Sequence, residues 1–139
     1  MCRGLGKSKH TLQVVDNYIY SLEGITYYLN SDSLYGLLDV FKSVQEQGSV
    51  LAMDYWLPQV EQNEVFHRFC KFLDKRCGHS KSQYNLIPSA RFSEFDGYEI
   101  QVLTDVVEYE KVISNRLVLP SWEELLPENY AVLIRSSAV

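Results

Sequence analysis

The sequence has no apolar run near the roughly 18 to 20 residues that a membrane-spanning helix needs. Its most apolar early stretch, 11–29, is broken by Asp16, Asn17, Glu23 and Gly24. The first ten residues carry Arg3, Lys7 and Lys9 with no apolar segment behind them, so residues 1–10 read as a basic N-terminal tail and not as a secretory signal. Cysteine is scarce and odd in number (Cys2, Cys70 and Cys77), which excludes a disulfide scaffold and points to a reducing, cytoplasmic setting. Glycine and proline number only seven and four, and no repeat or low-complexity tract is present; this excludes solenoid and disordered classes. A phosphate-cradling loop is missing too, because the two glycines of MCRGLG follow no strand. Positive charge is in deficit, at −5 for the whole chain, which argues against non-specific nucleic-acid binding by the overall surface.

What is present suits one domain. The chain has 139 residues, of which 46% are hydrophobic, enough to bury a core over residues 11–139. Leu34, Leu37, Leu38, Phe41 and Val44 recur at helical spacing and predict a helix over about 33–47, capped by Ser31, Asp32 or Ser33 and stopped by Gly48. Val65, Phe66, Phe69, Phe72 and Leu73 predict a second over about 61–76. Strands are expected at 11–20 and 25–29, joined by the Glu23-Gly24 turn, and at 49–57, where SVLAMDYWL is apolar on both faces. A hairpin is expected from 84–92 and 98–104 around Asp96-Gly97, with short strands at 116–119 and 130–135. Asp105 and Glu108 have the spacing of a capping pair that opens a short helix, against the alternative of a continued strand; Ser121 and Glu124 match a capping box. The sum is an α+β domain: a mixed, mostly antiparallel sheet of five to seven strands with two amphipathic helices packed on it.

Four sets of residues carry candidate chemistry. His67, Cys70, Cys77 and His79 have zinc-ligating atoms, but the cysteines lie two turns apart, about 10 Å along a helix, so core thiols are the better reading and no metal or other cofactor is expected. Cys70 with His67 at i−3 has the elements of a nucleophile pair, without an orienting third residue. Arg68, Lys71, Lys75, Arg76, Lys81 and Arg91 form a basic patch that complements the second helix's dipole more readily than it binds phosphate. The fourth set is acidic. Between Glu94 and Glu128 nine acids face two bases, a net of −7, interleaved with aromatic rings.

No catalytic set stands out among those acids, none of which sits in an apolar run that would raise its pKa for acid–base work. The expectation is therefore a protein-binding domain and not an enzyme: an immunity-type inhibitor that covers the positive cleft of a basic partner such as a nuclease toxin, without membrane or direct nucleic-acid contact. Asp96, Glu99, Asp105, Glu108, Glu110, Glu123, Glu124 and Glu128 would steer the encounter, and Tyr98, Tyr109 and Trp122 would anchor it. The alternatives are a zinc-binding or Cys/His-dependent domain centred on 67–79, and an acidic mimic of nucleic acid.

Overall fold

A computed structural model describes residues 18–77, 84–116 and 118–136. The expected basic tail, the first part of the 11–20 strand and His79 lie outside those residues.

Asn30, not the serines after it, starts the first helix: its Oδ1 accepts the Ser33 N–H at 2.8 Å and satisfies an amide that has no partner within the helix. Helix α1 then runs Ser31–Val44 and buries Leu34 and Leu38. It ends ahead of Gly48, where Gln45 turns into the core and accepts the Tyr98 hydroxyl at 2.5 Å. Strand β1 (Ile19–Leu22) precedes α1, and β2 (Val50–Tyr55) follows it. The two strands pair in parallel, Ile19 opposite Val50 and Leu22 opposite Met53, with α1 as the crossover that parallel pairing requires.

Pro58 ends the β2 region and opens a 3-10 turn, Pro58–Gln62, ahead of helix α2 (Glu64–Cys77). Strand β3 (Tyr98–Asp105) leads directly into α3 (Val106–Ile113), and β4 (Asn129–Arg135) closes the chain. The order is β1-β2-β4-β3, with β4 antiparallel to both neighbours and a bulge in β3 between Ile100 and Val102.

The expectation of an α+β domain with a mixed, mostly antiparallel sheet holds; the counts of five to seven strands and of two helices do not. The described residues form four strands and three α-helices. Residues 25–29 form no strand: Thr26–Tyr28 is a 3-10 turn, and the glycine before it is held by a carboxylate from β2. Residues 84–92 form no hairpin arm either. Leu86 makes a single bridge to Trp56, and from Ser89 to Glu94 the chain coils in a 3-10 turn begun by Pro88. The expected strand at 116–119 is irregular in its described residues.

Strand alternation sorts the sheet into two faces. Leu22, Leu51, Met53, Tyr55, Ala131 and Leu133 join Leu34 and Leu38 of α1, Phe92 of the 3-10 turn and Phe95 just after it in the main core. A second cluster lies beyond the end of β2, where Trp56 is fully buried and stacks on Tyr27 at 3.9 Å and 10°, with Val60 and Phe66 around it. The opposite face presents Ser21, Ala52, Asp54, Val102, Thr104, Tyr130 and Val132 to a broad groove.

Candidate functional site

That groove, of about 530 Å³, crosses the sheet face that α1 leaves uncovered. Its floor is apolar, from Ala52, Val102 and Val132, and carboxylates gather at one end. Glu23 follows β1, Asp54 stands near the end of β2, and Glu128 immediately precedes β4. The carboxyl ends of parallel strands are where open α/β sheets hold their ligands.

Asp54 is buried to 9% exposure in a strand whose neighbours are apolar. Both its oxygens accept the Gly24 N–H, at 3.1 and 2.8 Å, and Thr26 Oγ1 donates to its main-chain oxygen at 2.5 Å. Gly24 adopts φ +66°, a left-handed conformation that costs a residue with a Cβ, and this aims its N–H at the carboxylate. Burial raises the Asp54 pKa above the usual carboxylate value; the Gly24 N–H opposes that rise and Glu23 adds to it. Glu128 is raised by burial first and by the charge of Asp54 second, while the Tyr130 hydroxyl, donating to its Oε2 at 3.2 Å, partly offsets both. Tyr130 is pushed up to about 12 by burial and by Glu128. Tyr27 shifts upward as well, through burial and then through Asp54 and Glu128.

A buried carboxyl group whose charge raises the proton affinity of a half-buried second one, beside an apolar floor, is a recognised mark of a functional site. This corrects the expectation that no carboxylate of the acidic stretch occupies an apolar setting, since Glu128 does. Its partner Asp54 was not among the residues expected to matter. A lone acid inside the apolar run SVLAMDYWL was the signal.

The remaining acids of the stretch disperse. Asp96 lies at a turn 3.6 Å from Lys42. Asp105 caps α3 by accepting the Glu108 N–H at 2.9 Å, as its spacing indicated, and Glu108 pairs with Lys111 at 2.6 Å. Glu110 lies 3.9 Å from Arg116. Glu124 closes the capping box with Ser121, beside the exposed Glu123. Glu99 is exposed on β3. Among the expected anchors, Tyr98 is a core residue. Trp122 is half-buried, and its carbonyl accepts from Asn63 at 3.0 Å. Tyr109 alone lines the groove, its ring 5.6 Å from that of Tyr130.

Cys70 is half-buried against the second cluster, and burial, with Asp74 in support, pushes its thiol up to about 11, the opposite of nucleophile activation. The His67 ring is occupied with the Glu61 carbonyl, Nε2 lying 2.5 Å from it. Among the described residues no three His, Cys, Asp or Glu side chains converge as a metal ion requires. No described helix is long and apolar enough to cross a membrane.

The sequence matches no protein-family model and no curated protein. In fold the chain is similar to the crystal structure of a DUF574 family protein from Streptomyces avermitilis, with a TM-score of 0.58 and 18% identity. The similarity covers 86% of this chain and 44% of that one, so the chain spans less than half the length of the protein it resembles.

Proposed function

We propose that this chain binds a small organic ligand in the sheet-face groove, and that the ligand pairs an apolar body with a cationic amine or a set of hydroxyl groups. The observation that carries the reading is the pairing of Asp54 with Glu128 at the carboxyl end of an apolar groove. Carboxylates are acceptor-only when ionised, so they select donors: ammonium, guanidinium or hydroxyl. Ala52, Val102 and Val132 suit an apolar body, and the Tyr109 and Tyr130 rings suit a cation placed over them. A groove of this size takes a drug-sized molecule.

The test is an NMR titration with tyramine, with p-cresol as the control that lacks the ammonium. Tyramine should shift the amides of Ala52, Tyr130 and Val132 at millimolar concentration and p-cresol should shift them weakly. Glu128→Gln and Asp54→Asn should each weaken the tyramine response about tenfold, the loss of one charge-assisted contact. Equal responses to the two compounds, or tyramine binding that ignores both substitutions, would dismiss the carboxyl pair as the recognition element.

A different surface favours a second reading, the cytoplasmic inhibitor of a basic partner such as a nuclease toxin. Glu99 and Val102 on β3 and Glu108, Tyr109 and Val112 on α3 are exposed. Reversing the charge of Glu108 and Glu110 together should slow association with such a partner and flatten its salt dependence. Unchanged kinetics would remove this face from consideration.

A further inference from the structure

Helix α3 is the least anchored helix of the described fold. None of its eight residues is fully buried, whereas α1 buries two leucines. Val112 and Ile113 are 83% and 61% exposed. The Val106 N–H donates to the Glu128 carbonyl at 2.9 Å and the Tyr109 ring rests on Tyr130, while Val106, Val107 and Glu110 are half-buried. The Glu108–Lys111 pair stiffens the helix without fastening it to anything else. Eight residues are too few for a helix to persist by itself in water, so the Tyr109 contact has a large say in whether α3 stays in place.

Position gives that weak attachment a use. Both members of the ring pair line the groove, and α3 begins where β3 ends, at the carboxylate end of the floor. At each end of the helix the backbone turns extended, at Asp105 (φ −131°, ψ 173°) and Ser114 (φ −86°, ψ 138°).

We propose that α3 is a lid on the groove, hinged at Asp105 and Ser114 and latched by the Tyr109–Tyr130 ring contact. The proposal rests on the groove being a ligand site. Opening moves no fully buried residue of α3 and separates the Tyr109–Tyr130 ring pair, with the Val106–Glu128 hydrogen bond left at the Asp105 hinge, so the open form lies close in free energy to the closed one. A ligand that touches Tyr109 from inside the groove binds the closed form better and draws the helix down.

Amide hydrogen exchange on the whole chain tests this. In the free protein, α3 amides should exchange at least about a hundredfold faster than those of Leu51 and Leu133. Tyr109→Ala should speed them further, and Tyr109→Phe, which keeps the ring, should not. Saturating tyramine should slow α3 about tenfold while leaving the core strands unchanged. Exchange in free α3 as slow as in β4 overturns the lid outright. Groove shifts with tyramine but no change in α3 overturn the lid and leave the groove standing. No groove shifts at all remove the ligand reading, and the lid with it.

Discussion

Replacing Glu128 with glutamine should stabilise the protein at neutral pH. The Tyr130 hydroxyl can donate to a Gln oxygen as it does to Glu128, so the hydrogen bond survives and the charge goes. Burial and the neighbouring Asp54 both hold the Glu128 pKa above its unfolded value of 4.5. A group raised in this way contributes nothing adverse below pH 4.5, where folded and unfolded chains both carry the proton. As pH climbs toward the folded value, the unfolded chain has released its proton and the folded chain has not, so stability falls; above the folded value the loss is constant. Single substitutions outside the core typically change stability by about 1 kcal/mol, and we expect a gain of that order from E128Q at pH 7.5. For a domain of this size that is about 3 to 4 °C in melting temperature. Thermal melts of both proteins from pH 3.5 to 8 should therefore coincide at the acid end and separate as pH rises, with the variant above. A gap that is flat in pH, or a variant less stable at pH 7.5, would refute the claim that the groove holds a destabilised carboxylate. Asp54 is a less clean target, since both its oxygens accept the Gly24 N–H.

Other sites give sharper stability effects. Trp56→Ala should cost about 3 to 5 kcal/mol in urea denaturation, because the indole is fully buried against Tyr27, Phe66, Phe69 and Tyr84. Gly97→Ala should cost about 1 to 2 kcal/mol by the same measurement, since φ is +81° and the added Cβ would sit 2.7 Å from the Lys42 side chain. Cys70 should react with iodoacetamide at pH 7.5 more slowly than a free thiol does, read by peptide mass spectrometry, because its thiol stays protonated up to about 11; labelling as fast as free cysteine would show that the α2 layer opens readily.

Much of the framework was legible because its signals are local. The leucine spacing placed α1, the Asp105–Glu108 spacing placed α3, and Ser121–Glu124 placed a capping box, each satisfied by atoms three or four residues apart. The errors came from interactions across the chain. Glu23-Gly24 resembles a hairpin turn, but the Gly24 N–H is claimed by Asp54, 30 residues on, and the chain crosses over through α1 to pair in parallel. Asp96-Gly97 resembles another, yet its first arm coils into a 3-10 turn that sends Phe92 and Phe95 into the core. The site was hidden for the same reason. Glu128 looked like one acid among nine, and only the sheet register, which sets Asp54 opposite Tyr130, reveals its company.

The stacking of Trp56 on Tyr27 has an optical consequence. The chain contains two tryptophans, and neither belongs to a strand of the sheet: Trp56 sits in the cluster beneath α2, and Trp122 in a 3-10 turn held by Asn63. Intrinsic fluorescence therefore watches the α2 side of the molecule, while backbone circular dichroism weighs every element. Coincident denaturation curves from the two signals would mean that α2 and the sheet melt as one cooperative unit. An earlier red shift in emission would mean that the aromatic cluster comes apart first and leaves the main core folded.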